Sequence, residues 1–230
     1  MLSRFRGKNV KGAITALKQS QCVFFDVDST VIAQEGLDEF ARFLSKYDVI
    51  SAITNKAMEG GVSYVDAFDQ RMRVLNPTQN DLNAFLSQFQ PSFTPGVQAF
   101  LQRLQSDEKE VYLVSGGIAD LVQPVARHLG IPQSHVICNY IFFQNGVYSG
   151  FARECVINQP NGKSKAIASI LQGTRQQRCV MIGDGMTDCE TEDVVDAFIC
   201  YCGVKERQPV MERASLVVSN FHDLLQLYNT

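Results

Sequence analysis

Six short apolar runs recur along the chain, most of them closing on a small or polar residue: CVFFDVD, EVYLVSGG, HVICNY, CVMIGDG, DAFICYCG and SLVVSN. Near-continuous apolar runs of this length read as strands buried on both faces. Between several of them the apolar period changes to that of a helix. In VQAFLQRL, Val97, Phe100, Leu101 and Leu104 share one face, and Thr94-Pro95 suits a cap and first-turn pair. In KAIASILQG, Ile167, Ile170 and Leu171 do the same, and Gly173 suits the stop. Gly130 similarly follows IADLVQPVARHL, where Pro124 predicts a kink or a late start. IFFQNGVYSG predicts a hairpin turning at Asn145-Gly146. Strands alternating with helices predict an α/β protein, a doubly wound Rossmann-like parallel sheet covered on both faces.

One region breaks the alternation. Residues 34–93 contain no convincing strand, whereas LDEFARFL, YVDAFDQRMRVL and DLNAFLSQF are amphipathic helices separated by Gly60-Gly61 and Asn76-Pro77. Three helices inserted between the first and second strands predict a small helical cap. The core is then discontinuous, residues 1–33 and 94–230.

Composition narrows the class. Hydrophobic residues make up 45% and charged residues 20%, ordinary for a globular chain, and the net charge of −3 gives no field that favours nucleic acid or an anionic membrane. No apolar run approaches the ~20 residues that span a bilayer. The seven cysteines are odd in number and scattered, without a Cys-x-x-Cys pair, which argues for reduced thiols in a reducing compartment rather than disulfides or zinc. The first 25 residues carry five Lys or Arg and no acid. That faintly resembles an organellar presequence, but a solvated first helix from Val10 to Ser20 in a cytoplasmic protein is the blander expectation.

The chemistry gathers at the strand ends. In a doubly wound sheet ligands bind beyond the carboxyl ends of the strands. Those ends hold Asp26 and Asp28, Ser115-Gly116-Gly117, and Asp184-Gly185. Other assignments fail on position. An EF-hand would need Gly and Glu where Val31 and Leu37 stand, a nucleophile elbow would need Gly at Leu113, and a P-loop would need Gly at Ile157. Asp26 and Asp184 offer hard oxygen ligands for Mg²⁺, Ser115 and its glycine neighbours offer donors to phosphate oxygens, and Lys163 adds a point charge. The set fits phosphoryl transfer.

With DVDST, VSGG, Lys163 and GDGMTD in this order, the chain resembles the haloacid-dehalogenase-like superfamily over nearly its full length. Glu35-Gly36, AMEGGV and Arg71 are similar to the phosphoserine phosphatases within it. The resemblance implies Asp26 as a nucleophile that becomes an aspartyl-phosphate, and Asp28 as the acid and then the base. It implies Mg²⁺ between Asp26, the backbone carbonyl of Asp28 and Asp184, with Asp188 in support. Ser115, Gly116, Gly117, Lys163 and Thr187 would hold phosphate or substrate, with Asn139 lining the site. From the cap, Glu35 would meet the ammonium of O-phospho-L-serine, Arg71 its carboxylate, and Met58 would form a wall. The enzyme would act on this small molecule as a monomer or homodimer. Two residues depart from the pattern: Glu59 stands beside Met58 where the family has Gly, and Cys189 follows Asp188. Two alternatives stay open: the same fold acting on, or transferring phosphate from, another small phosphomonoester, and an α/β ligand-binding module without turnover. The intact Asp28 speaks against the second, since binding alone needs no second acid.

Overall fold

The computed structural model describes residues 5–58, 63–172 and 178–230. Among these residues eight strands run in chain order: β1 Cys22–Phe25, β2 Glu110–Ile118, β3 Val136–Asn139, β4 Ile141–Gln144, β5 Val147–Phe151, β6 Cys179–Gly183, β7 Ala197–Tyr201 and β8 Leu216–Val218. Six of them form one parallel sheet in the order β3-β2-β1-β6-β7-β8, and these are the six apolar runs of the sequence. The first half of the helices comprises α1 Val10–Gln19, α2 Gly36–Phe43, α3 Tyr47–Met58, α4 Tyr64–Leu75 and α5 Gln79–Gln88. The second half comprises α6 Val97–Ser106, α7 Ala119–His128, α8 Gly162–Leu171, α9 Met186–Cys189, α10 Gln208–Arg213 and α11 Phe221–Asn229.

Strand alternation divides the core into two layers. On β1, Val23 and Phe25 pack with Val111, Leu113, Val180 and Ile182 under α1, α6 and α11. Cys22 and Phe24 face the other way, with Tyr112, Val114 and Met181, under α8 and α10. Every residue of β1 is buried because the sheet is covered on both faces. A third cluster joins Leu37, Phe40, Phe68, Met72 and Phe85 of the inserted helices to Ile118, Leu121 and Phe151. The β4–β5 pair is the expected hairpin. Asn145 and Gly146 have φ of 51° and 77°, the left-handed pair a tight two-residue turn requires.

Four local expectations change. The described residues of 34–93 hold four helices rather than three, because Tyr47–Met58 is also helical. Its β-branched Val49, Ile50, Ile53 and Thr54 lower helix propensity and obscured the period, while burial of Ile50 in the cap cluster holds the helix. Thr94 does not cap α6. It is buried, and its hydroxyl donates to the Thr30 carbonyl at 2.6 Å, while Gly96 takes the cap position at φ 82°. Pro124 lies inside α7 rather than at a late start, since the helix begins at Ala119. The first helix is not fully solvated: Ala13, Ile14, Ala16 and Leu17 are buried against the sheet. At the end of α7 the stop at Gly130 is formed as expected, with Ile131 N–H bonded to Ala126 O and Gly130 N–H to Arg127 O. Gly173, Glu59, Gly60 and Gly61 lie outside the described residues, as does the Met58 side chain.

Candidate active site

The carboxyl end of β1 hands the chain directly to the site. Asp26 still pairs in the sheet, its N–H donating to Ile182 O, and its side chain then stands free of the ladder. Its Oδ1 accepts from Val27 N–H at 2.8 Å and meets Lys163 Nζ at 2.8 Å. Lys163 comes from the first turn of α8, and its ammonium also lies 2.7 Å from Asp188 Oδ1. Burial alone would lower the lysine's pKa, but Asp188 and Asp26 outweigh it and hold the group charged.

Asp184 follows β6, and Asp188 stands one turn later in α9. The second oxygen of Asp188 accepts the Gly185 N–H at 2.9 Å. A Cβ on Gly183 would lie 2.2 Å from that carboxylate, so only glycine lets the loop fold so tightly. Asp26, Asp184 and Asp188 are all buried, with one oxygen of each within 4.8 Å of the others. Burial, then the neighbouring Asp26, pushes Asp188 up to about 7 even though Lys163 opposes them. Among the described residues, Asp26, Asp184 and Asp188, with Asp28 nearby, are met by the cations Lys163 and Arg207, whose guanidinium contacts Asp184 through both its carboxylate and its carbonyl. A cluster of hard oxygens with surplus negative charge fits a divalent cation.

Asp28 is half-buried and turned toward the inserted helices. Its Oδ1 accepts the Gly36 N–H at 3.0 Å at the start of α2, where Glu35 supplies no side-chain cap. Its Oδ2 lies 3.3 Å from the place a Cβ on Gly117 would take. Burial, then Glu35, pushes this carboxyl up to about 8 against the Gly36 hydrogen bond. The side chain is outside the three-acid cluster.

The β2 end forms the facing wall. Ser115 is fully buried, and its Oγ accepts the Gly117 N–H at 2.9 Å. Gly116 O accepts from the Tyr64 hydroxyl at 2.6 Å and from Asn139 Nδ2 at 2.9 Å, and Asn139 Nδ2 also donates to Tyr64 at 2.8 Å. Asn139 Oδ1 is buried and has no hydrogen-bond partner among the described residues. Thr187 is half-buried in α9, its Oγ1 3.7 Å from the place a Cβ on Gly185 would take. Arg71 stands two turns along α4 from Tyr64, its Nε donating to Ala67 O at 3.3 Å and its guanidinium near the Phe68 ring. Asp69 does not hold it. That carboxylate meets Arg73 at 3.1 Å and Arg153 at 2.6 Å instead. Among the described residues, no carboxylate lies within ion-pair distance of Arg71.

Glu35 is engaged more heavily than its sequence position suggested. Its Oε1 accepts from Ser29 at 2.8 Å, meets Lys205 Nζ at 2.5 Å and lies 3.9 Å from Arg207. Burial would raise its pKa, but Lys205, Ser29 and Arg207 together lower it. Ser29, Tyr64, Lys205 and Arg207 contact these candidate residues and were missed by sequence reasoning. Lys205 and Arg207 follow the carboxyl end of β7, a further strand end of the kind that marks a ligand crevice, and VKERQ there was the available signal. Cys189 is fully buried, and burial pushes its thiol up to about 12, which leaves it a packing residue.

The family model for haloacid dehalogenase-like hydrolases matches residues 23–191. The phosphoserine phosphatase of Bos taurus is 37% identical over 207 residues, covering 90% of this chain and 92% of that protein. DsGPDH of Dunaliella salina superposes with a TM-score of 0.84 at 29% identity over 96% of this chain, which spans only 38% of that longer protein. A substrate-bound phosphoserine phosphatase superposes with a TM-score of 0.79 at 20% identity over 90% of this chain and 97% of that one, a likeness of fold. With the family model matching residues 23–191 and a phosphoserine phosphatase 37% identical over 92% of its own length, the chain belongs to the haloacid dehalogenase-like hydrolases, in the group of the phosphoserine phosphatases.

Proposed function

We propose that the protein is a Mg²⁺-dependent phosphoserine phosphatase, hydrolysing O-phospho-L-serine to L-serine and phosphate at the last step of serine biosynthesis. The observation that carries this reading is Asp26 held by Lys163 at a strand end, with Asp28 two residues on and, among the described residues, Arg71 of the overlying helices without a carboxylate within ion-pair distance. The relatives named phosphoserine phosphatase support the substrate. Residues 34–93 would act as the cap over a core of residues 1–33 and 94–230. Seven free cysteines suit the cytosol, where the enzyme would work as a monomer or homodimer.

Mg²⁺ would be held by Asp26 and Asp184, with Asp188 in support and the Asp28 carbonyl as a further ligand. Bound there, it would neutralise charge on the phosphoryl oxygens. Asp26 Oδ1 is tied to Lys163 and Val27 N–H, which leaves Oδ2 as the attacking atom. As the Asp26–phosphorus bond forms, the bond to the serine oxygen breaks, and that oxygen takes the proton of Asp28. A water then attacks phosphorus while Asp28 takes its proton, and the Asp26–phosphorus bond breaks to release phosphate. Ser115 and the Gly116 and Gly117 backbone, with Lys163 and Thr187, would position the phosphoryl group. Arg71 would meet the substrate carboxylate, Glu35 its ammonium, and Met58 and Asn139 would line the site. Phosphate release measured over a panel of small phosphomonoesters tests the assignment. Phosphoserine should lead the panel, and a different leader would displace it as the substrate.

A further inference from the structure

Glu35 stands at the start of α2, and under the proposed function it selects the ammonium of the substrate. The structure already supplies it with an ammonium. Lys205 Nζ lies 2.5 Å from Glu35 Oε1, the same oxygen that accepts the Ser29 hydroxyl. We propose that Lys205 is a specificity-determining residue whose ammonium stands in for that of the substrate at Glu35, so that the site discriminates only weakly between a phosphomonoester bearing an ammonium and one bearing a hydroxyl at the same carbon. This inference rests on the phosphoserine reading.

Three observations carry it. The first is the difference between the two cations of the loop after β7. Arg207 is fixed through Asp184 and reaches Glu35 only at 3.9 Å, whereas among the described residues Glu35 is the sole ion-pair partner of Lys205. Lys205 alone is free to leave. The second is exposure. The lysine side chain is 38% exposed, so its ammonium returns to water when displaced, while Glu35 at 22% remains largely covered. The third is the sign of the charge around the site. A bare Glu35 would repel a substrate that carries phosphate and carboxylate but no ammonium, and Lys205 removes that repulsion.

Specificity is a difference of two affinities, and Lys205 acts on both. For phosphoserine, binding trades one ammonium–carboxylate pair for another, so only the difference is gained. For a hydroxyl-bearing analogue the lysine stays in place and Glu35 remains neutralised. Both effects narrow the gap.

The test compares O-phospho-L-serine with 3-phospho-L-glycerate, which keeps the skeleton, carboxylate and phosphate and carries a hydroxyl for the ammonium. In Lys205→Met the ratio of kcat/KM for phosphoserine to that for phosphoglycerate should rise by about fivefold, the span of a partly exposed ion pair. The change should appear in KM rather than kcat. Lys205→Arg, which keeps the cation, should hold the wild-type ratio. An unchanged or lowered ratio in Lys205→Met, or an equal shift in both variants, overturns the proposal. Wild-type enzyme that hydrolyses an aryl phosphate but neither acid would refute the phosphoserine reading itself, and the role of Lys205 would fall with it.

Discussion

Asp26 and Asp28 are two residues apart and are held by different parts of the molecule, one by Lys163 and the other by Gly36. Their substitutions should therefore fail differently. Asp26→Asn should abolish turnover while the circular dichroism melt stays cooperative, and near-normal phosphate release would remove the covalent route. Asp28→Asn should slow the loss of serine, a poor leaving group, far more than the loss of a nitrophenolate, since general acid help is worth ~10²–10⁴-fold. Equal losses on both substrates would count against the assignment. Arg71→Ala should lose at least about tenfold in kcat/KM on phosphoserine, and far less on a phosphomonoester without a carboxylate, because a guanidinium matches a carboxylate bidentately. Parallel losses would make Arg71 structural. Much of the candidate site was legible because acids at strand ends carry a local sequence signal, and Asp26, Asp184 and Asp188 do come together there. Glu35 shows the limit. Its partner Ser29 is six residues away, but Lys205 and Arg207 come from the distant loop after β7, and no spacing along the chain announces that they meet Glu35.

Among the elements, α5 carries the most complete cap. Thr78 Oγ1 accepts the Asp81 N–H at 3.0 Å, and the Asp81 carboxylate accepts the Thr78 N–H at 2.8 Å. The backbone N–H of Thr78, and then its hydroxyl donating to the same carboxylate at 2.7 Å, hold Asp81 below the usual carboxylate range. Thr78→Ala should lower stability by about 1 kcal/mol in urea unfolding at neutral pH. The folded carboxyl is the lower of the two, so its contribution is present above the unfolded pKa and fades as pH falls through the folded one. The deficit of Thr78→Ala should accordingly shrink in acid, and a deficit constant with pH would contradict the capping box. The six sheet strands were plain in the sequence since burial on both faces leaves little polar interruption. α3 was not, because its β-branched residues imitate strand composition and only tertiary burial settles the conflict.

On the scale of the whole molecule, the surplus of acid at the sheet mouth ties stability to metal. Mg²⁺ should raise the melting temperature, by an amount equivalent to about 2.7 kcal/mol at a hundred times its Kd, and Asp184→Asn should lose that shift. A chelator should remove both the shift and activity, with Ca²⁺ a poor replacement because it favours more and longer contacts. A melting temperature indifferent to Mg²⁺ would detach the three-acid cluster from metal. The position of β1 has another consequence, for the order in which the chain is made. Its two neighbours come late, Cys22 pairing with Glu110 on one side and with Cys179 on the other. At ~5–20 residues per second, a ribosome delivers Cys179 roughly 8–30 s after Phe25. For that interval a strand buried along its whole length has no complete place to go, and the helices of residues 34–93 emerge first. Nascent chains halted before β6 should therefore be the ones that chaperones hold and proteases find.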